Sequence, residues 1–288
     1  MADLAHNRVY LCGCLEGLRQ LSDGSVPLVF VDPPAKLKDQ NRVSDRAYLS
    51  WATEWLSEIF RVLTPMGTLW LAARDHNAAE LKILMQHDIG FHFQNWIIWY
   101  DTFGPHCKRR FAPSHTHLFQ MTRDARKFTF NADDPKVRIP LARQTRYQDK
   151  RANAKSRLPD NTWLFSRTPG RFNERQGEHC PMPELLLGRI IRTSSNPGEL
   201  VLDPFAGNGT ALVTAKKLGR EYLGFDISEP RQRRAEFRLR NCSPWDPLVG
   251  ESPSDYTEKL FDETDAAPEE KLEDGLMLDP LQTKDKCP

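Results

Sequence analysis

Residues 200–217 of the chain read LVLDPFAGNGTALVTAKK. An apolar run ends in an acid, a turn with two glycines follows, and a helix-forming segment comes next. Gly207 and Gly209 have no side chain, so the backbone of this turn can approach a ligand closely. Ligands of open α/β sheets bind beyond the carboxyl ends of the strands, at helix N-termini. The stretch therefore predicts a strand, a ligand-binding turn and a helix.

A second acid favours a nucleoside-containing ligand at this turn. Asp226 ends the segment EYLGFD, 19 residues after Gly207. An acid about 20 residues after such a turn binds ribose hydroxyls in nucleotide-binding sheets. A Gly-x-Gly turn alone is weak, because tight turns without a ligand have it too. Acids at the ends of two successive strands make the prediction stronger.

Outward from this stretch, apolar runs of strand length alternate with amphipathic segments of helix length. Predicted strands cover 9–11, 28–32, 68–73, 94–100, 198–203 and 221–226, and predicted helices cover 14–21, 45–63, 77–88, 183–195, 210–219 and 229–241. Such alternation predicts an α/β fold with a mixed or parallel sheet and helices on both faces. Residues 122–178 lack this regularity, and we expect them to form an insertion outside the sheet.

A second motif, Asp32-Pro33-Pro34, follows another buried strand and is expected at the same edge of the sheet. Prolines have a fixed φ and donate no hydrogen bond, so their carbonyls act only as acceptors. A carboxylate and a rigid carbonyl together can accept both hydrogens of an exocyclic amine and orient its lone pair. Taken alone, the motif is equally compatible with a Pro-Pro turn that simply ends a strand.

Composition and charge narrow the class of protein. A charged fraction of 27% and the lack of a long apolar run or a secretory signal predict a soluble, cytoplasmic protein. The six cysteines fit no disulfide framework, and the pairs Cys12/Cys14, His115/His117 and His179/Cys180 complete no zinc pattern, so we predict no metal. Residues 251–288 contain twelve acids and four lysines, a net charge of −8, which leaves +9 on residues 1–250. A basic body favours a polyanionic partner.

The order of the motifs resembles that of a known family. The chain resembles the beta-type S-adenosylmethionine-dependent amino-methyltransferases of DNA. Four segments carry this resemblance, in the order VDPPA, NWIIWYDTFGPHCKRRFAPSHTHLF, EHCPMPELLLGRIIRTSSNPGELVLDPFAGNGT and REYLGFDISE. The resemblance covers about residues 8–241 and implies a Rossmann-like sheet. It implies methyl transfer to adenine N6, with cytosine N4 a close second.

The resemblance also implies a role for individual residues. Within the catalytic motif Asp32-Pro33-Pro34-Ala35, Asp32 and the Pro33 carbonyl would hold the amine, and Asp226 would bind the cofactor ribose. Asp203, Phe205, Gly207 and Gly209 would shape the methionine pocket of a cofactor site that also includes Ala206, Asn208 and Thr210. In the family's basic, Ser/His-containing loop, DNA would be bound by Lys108, Arg109, Arg110, Ser114 and His115, and the basic cluster of the insertion adds Arg143 and Arg146 as predicted DNA contacts.

Three positions depart from the family pattern. At position 35 the family has an aromatic residue that stacks on a flipped base, whereas this chain has Ala35. At the next position the family commonly has a small polar residue, whereas this chain has Lys36. Gly13 lies near the usual position of an acid on the adenine side of the cofactor. Trp99 or Phe103 could replace the aromatic at position 35. Otherwise the chain is a weakened homologue that binds DNA and cofactor without efficient turnover.

An RNA or protein amide methyltransferase is a third interpretation, but there the cofactor motif usually precedes the clamp. For the DNA enzyme we predict double-stranded DNA as the partner and a monomer or homodimer. The expected divisions are 1–121 for the catalytic-motif half, 122–178 for target recognition, 179–243 for the cofactor half and 244–288 for a disordered acidic tail.

Overall fold

The structure is a computed structural model that describes residues 4–34, 45–100, 108–109, 111–139, 157–166 and 182–251. Several positions named above lie outside the described residues: Ala35, Lys36, Phe103, Arg110, Arg143, Arg146 and the tail from residue 252 onward.

The described residues form one sheet of eight strands in the order β1-β8-β7-β2-β3-β5-β4-β6. The strands are β1 Arg8–Leu11, β2 Val26–Val31, β3 Leu63–Ala73, β4 His92–Tyr100, β5 His115–Thr122, β6 Thr162–Leu164, β7 Leu200–Asp203 and β8 Glu221–Asp226. All neighbouring pairs are parallel except the two that involve β5, which runs antiparallel to both β3 and β4. The sheet is therefore mixed.

Helices cover both faces of this sheet. They are α1 Cys14–Leu18, α2 Asp45–Val62, α3 Asp75–Ile83 with a π-helical continuation Leu84–Ile89, α4 Glu184–Ser194, α5 Thr210–Lys217 and α6 Glu229–Arg240. Successive side chains of a strand point to opposite faces. In β3, Trp70 belongs to the core that contains Ile190 of α4, and Leu69 belongs to the core that contains Trp55 of α2. Burial on both faces explains why the central strands are continuous apolar runs.

The predicted α/β class with helices on both faces is confirmed, but two strands were not anticipated. β6 lies within 122–178 and pairs in parallel with β4, with Trp163 opposite Trp99. The expectation that no part of this region joins the sheet is therefore wrong, because a three-residue edge strand is too short to show periodicity. β5, sequence HTHLFQMT, mixes polar and apolar residues and was also missed.

The predicted tail begins later than residue 244. Leu248 is buried in the core, and the backbone N–H of Trp245 donates to the Lys217 carbonyl at 2.8 Å. Glu251 forms ion pairs with Lys136 at 3.1 Å and Arg192 at 3.2 Å. Residues 244–251 thus pack against the folded body. Within the part of the chain that the structure describes, no helix is long and apolar enough to span a membrane.

Candidate active site

The sheet brings the two chemical motifs together. β8, β7 and β2 are consecutive and parallel, so their carboxyl ends lie at one edge. Asp226 and Asp203 are the last residues of β8 and β7, and Asp32 directly follows β2. This edge, which we call the acidic edge, therefore carries three carboxylates from distant parts of the sequence.

The glycine turn after β7 has the geometry of a ligand cradle. Gly207 and Gly209 have φ values of +54° and +74°, in the left-handed region that side chains disfavour. A Cβ on Gly209 would lie 2.7 Å from the Cβ of Ala235 in α6, so close packing requires glycine there. A Cβ on Gly207 would meet nothing nearer than the Phe205 carbonyl at 3.8 Å. The turn is thus packed against α6 at Gly209 and open at Gly207. Gly209 is also the N-cap of α5.

Asp226 ties the end of β8 to this turn. Its Oδ2 accepts a hydrogen bond from the Gly207 N–H at 3.0 Å, and its Oδ1 accepts from the Ser228 N–H at 2.7 Å and from Arg231 Nε at 3.1 Å. A carboxylate has about four acceptor positions, so capacity for a further donor, such as a hydroxyl, remains beside the open turn.

Two exposed apolar side chains next to Asp226 were not identified from the sequence. Leu11 pairs with Asp226 across β1 and β8, and Ile227 directly follows the acid. Both apolar side chains are exposed at the acidic edge.

Asp203 is a buried acid of the site. Burial raises the pKa of its carboxyl to about 8, and the carboxylates of Asp32 and Asp226 add to the shift. The Phe205 N–H donates to its Oδ1 at 3.0 Å and opposes the shift. A cationic ligand would favour the ionised form of Asp203. The acidic edge is therefore suited to a positively charged ligand.

Asp32 borders a small pocket at the same edge, which we call the clamp pocket. Its lining residues are Asp32, Pro33, Tyr48, Ala72, Ala73, Arg74, His76, Asn77 and Leu81. Burial and the negative charge of Asp32 raise the pKa of the Tyr48 hydroxyl to about 12, so the phenol is neutral. The pocket thus combines a carboxylate, a neutral aromatic and several polar side chains.

An aromatic cluster connects the clamp pocket with the glycine turn. The ring centroid of Trp51 lies 5.7 Å from that of Tyr48 and 5.6 Å from that of Phe205. Trp99, by contrast, is buried, and its Nε1 donates to the Phe165 carbonyl at 3.0 Å. The expectation that Trp99 could replace an aromatic at position 35 is therefore wrong, because its ring is committed to the core.

Part of the predicted DNA-binding region is at the same edge. β5 is antiparallel to β3, with His117 opposite Ala73, so the start of β5 lies at the acidic edge. Ser114 and His115 are there and partly exposed, and Lys108 and Arg109 are exposed. The described members of the basic segment are thus accessible to a polyanion.

One set of described residues brings three possible metal ligands together, namely Asp75, His115 and His117, with their ligand atoms within 4.8 Å. Trp96 Nε1 donates to His117 Nδ1 at 2.9 Å, and indole is only a donor. His117 therefore carries its proton on Nε2, which lies 3.0 Å from Asp75 Oδ1. A metal on Nε2 would have to displace that proton, so the geometry favours a hydrogen-bonded network.

Comparisons with known proteins agree with this geometry. A family model described as DNA methylase, for N6 and N4 methyltransferases, matches residues 26–237. Type II methyltransferase M.HpaI of Haemophilus parainfluenzae is 33% identical over 237 residues, which are 81% of this chain and 74% of the relative. DNA adenine methyltransferase YhdJ of Escherichia coli (strain K12) is 30% identical over 225 residues, 74% and 76% of the two chains.

A solved structure supports the fold. TTHA0409 of Thermus thermophilus, complexed with S-adenosyl-L-methionine, matches with a TM-score of 0.58 and 24% identity, over 81% of this chain and 93% of that one. The profile match, the two relatives and the clamp motif at the acidic edge lead to one assignment. The chain belongs to the N6/N4 family of DNA methylases.

Proposed function

We propose that this DNA methylase transfers the methyl group of S-adenosylmethionine to N6 of adenine in double-stranded DNA. The observation that carries the proposal is the position of Asp32-Pro33 at the acidic edge, beside the glycine turn of β7. Neither motif is decisive alone. At one edge, they place an amine clamp next to a nucleoside-binding turn.

The residues present fit the cofactor. The open side of Gly207 gives room for the backbone to contact it, and Asp226 keeps acceptor capacity for the ribose. Asp203 suits a ligand with positive charge. Leu11 and Ile227 offer apolar surface for the adenine ring. When bound, S-adenosylmethionine supplies an electrophilic methyl group.

Asp32 and the Pro33 carbonyl act on the substrate amine by positioning it. Both accept a hydrogen bond from the amine hydrogens, which directs the nitrogen lone pair toward the cofactor side of the edge. Their fixed position removes orientational freedom before the reaction. The Tyr48 phenol beside Asp32 is neutral, because burial and then the negative charge of Asp32 raise its pKa to about 12.

The choice of adenine has specific support. YhdJ, 30% identical to this chain, is named a DNA adenine methyltransferase. Cytosine N4 carries the same kind of amine and stays the second candidate. Because the proposed substrate is DNA, we expect the protein to act in the cytoplasm, as a monomer or a homodimer.

A binding protein without efficient turnover is the alternative that Ala35 and Gly13 favour. A Cβ on Gly13 would meet nothing within 4 Å, so an acid could be accommodated there and none is present. This alternative keeps cofactor and DNA binding but predicts negligible methyl transfer.

The experiment is nucleoside analysis of DNA after reaction. Unmethylated genomic DNA is incubated with the protein and S-adenosylmethionine, digested to nucleosides and separated by mass spectrometry. N6-methyldeoxyadenosine is expected. If N4-methyldeoxycytidine is found instead, the substrate is cytosine N4. If a protein sample that binds the cofactor forms neither methylated nucleoside, the result favours a binding protein without efficient turnover.

A further inference from the structure

We propose that a cavity between the sheet, α4 and the 122–178 region is a separate binding site, for a small neutral ring that carries a hydrogen-bond acceptor. This cavity, which we call the insertion cavity, has a volume of about 150 Å³. The inference is independent of the proposed methyl transfer, because none of the described residues named at the acidic edge lines the insertion cavity.

The insertion cavity is remote from the acidic edge. Gln120 lines it and lies five residues after His115, where β5 begins at that edge. At about 3.4 Å per residue, this separation is roughly 17 Å along the strand. Trp70 of β3, the cross-strand neighbour of Gln120, lines the cavity too. A ligand in this cavity would therefore leave the acidic edge open.

The walls of the cavity suit a flat ring. Trp70 and Trp163 are 2% and 5% exposed, and their ring centroids lie 5.8 Å apart at an interplanar angle of 35°. Trp70 Nε1 donates to Ser194 Oγ at 2.9 Å and Trp163 Nε1 donates to the Asp160 carbonyl at 2.8 Å, so neither indole needs a partner from a ligand. The cavity exists with both rings in place, and about 150 Å³ between apolar walls is enough for a molecule of the size of benzene.

Gln120 supplies the polar contact. Its side chain is 1% exposed, its Oε1 accepts a hydrogen bond from Asn95 Nδ2 at 2.8 Å, and its Nε2 has no partner among the described residues. A buried donor without an acceptor costs free energy, which an acceptor on a ligand would recover. One water would also satisfy this donor, but it would leave most of the space between the apolar walls unfilled.

The guanidinium of Arg189 narrows the class of ligand. This side chain is 4% exposed, lines the cavity and lies over the Trp163 ring, with 5.0 Å between its Cζ and the ring centroid. A buried positive charge repels a cationic ligand and attracts the lone pair of an acceptor. The expected ligands are therefore neutral heteroaromatic rings, such as pyridines and pyrimidinones.

Phe130 marks the mouth of the cavity. It lines the cavity and is 39% exposed, whereas Val137, also from the 122–178 region, is 2% exposed and belongs to the inner wall. A bound ring would contact this region and the sheet at once. It would therefore stabilise the folded contact between them.

The test is an NMR titration of the full chain with pyridine at pH 8, followed through the side-chain amide signal of Gln120. Gln120→Leu identifies this signal by its disappearance. We expect a saturable shift, with a Kd in the millimolar range or below. Affinities measured by saturation transfer to the ligand should show pyridine binding at least about 5-fold weaker in Gln120→Leu, because one hydrogen bond is lost. Benzene has no acceptor and should bind this variant at least as well as the unchanged protein.

Two valine substitutions test the location. Val137→Phe fills the cavity with a ring from the protein itself and should abolish pyridine binding. Val249→Phe is the matched control, because Val249 is 52% exposed and lies outside the cavity lining. It should leave pyridine binding unchanged. The comparison of pyridine with benzene in Gln120→Leu does not depend on either variant.

Each contrary result has a distinct meaning. If pyridine does not shift the Gln120 amide signal, the cavity holds water only and the inference is overturned. Equal pyridine affinity in Gln120→Leu and the unchanged protein would overturn the assigned contact, and undiminished binding by Val137→Phe would overturn the location. Displacement of pyridine by S-adenosylmethionine would place the probe at the acidic edge and also refute the inference, while the proposed methyl transfer stands or falls on its own assay.

Discussion

The pH dependence of cofactor binding is the sharpest consequence of the acidic edge. The pKa of Asp203 is raised to about 8 by burial and by the carboxylates of Asp32 and Asp226. S-adenosylmethionine carries positive charge, so the complex favours the ionised form of Asp203 and binding must remove its proton. Cofactor affinity should therefore rise with pH up to about 8 and level off above it.

The magnitude follows from the ionised fraction of Asp203 in the free protein. With a pKa of about 8, roughly three quarters of the carboxyl is ionised at pH 8.5 and about 3% at pH 6.5. Affinity should thus be about 25-fold weaker at pH 6.5 than at pH 8.5. The same shift means that ionised Asp203 destabilises the free fold, so its contribution to stability is present at acidic pH and is lost as the pH rises through 8.

Titration calorimetry at several pH values measures this directly, and repeating it in buffers of different ionisation enthalpy counts the protons. Near pH 7, binding should release close to one proton. Asp203→Asn cannot ionise, so its affinity should be weaker at pH 8.5 and nearly constant over the same range. If the unchanged protein and Asp203→Asn show the same pH dependence, the assignment of the proton to Asp203 is refuted.

Three further predictions concern the glycine turn, the ribose acid and the tail. Gly209→Ala should lower the free energy of unfolding by about 2 kcal/mol or more, because Gly209 has a positive φ and packs against Ala235. Gly207→Ala should lower it by only about 1 kcal/mol, because Gly207 has a positive φ but no such contact. Urea denaturation measures both values, and equal losses would contradict the packing argument. Asp226→Ala should weaken cofactor binding at least about 10-fold by calorimetry, and unchanged affinity would exclude this acid as the ribose ligand. Deleting 252–288 should leave DNA affinity equal or higher and steeply salt-dependent, and loss of binding would show that the tail carries it.

The sequence was sufficient to predict the strands and helices whose apolar residues recur with a regular period. Long buried strands such as β2 and amphipathic helices such as α2 have periodicities that reveal them, and their alternation fixes the α/β class. The strand β6 was not predicted, because three residues are too few to show the alternation of apolar and polar residues that marks a strand. The order of strands also had to come from the structure, since pairing β2 between β7 and β3 depends on contacts between distant segments.

The same division applies to the site. Asp32, Asp203 and Asp226 were identified because each ends or follows a strand, and parallel strands end at one edge. Tyr48 and Asn77 were not, because helix periodicity explains Tyr48 as a core residue and nothing local distinguishes Asn77. Their position at the clamp pocket results from how α2 and α3 pack near the end of β3, which no short motif encodes.

The most direct test of methyl transfer at the clamp compares Asp32→Ala with the unchanged protein. Both are incubated with DNA and S-adenosylmethionine labelled on the methyl group, after calorimetry has verified that both bind the cofactor equally. We expect label in DNA from the unchanged protein and a rate at least about 10²- to 10³-fold lower in Asp32→Ala, because the amine loses the acceptor that positions it. Equal rates for the two proteins would contradict the claim that the Asp32-Pro33 clamp at the acidic edge is where the methyl group is transferred.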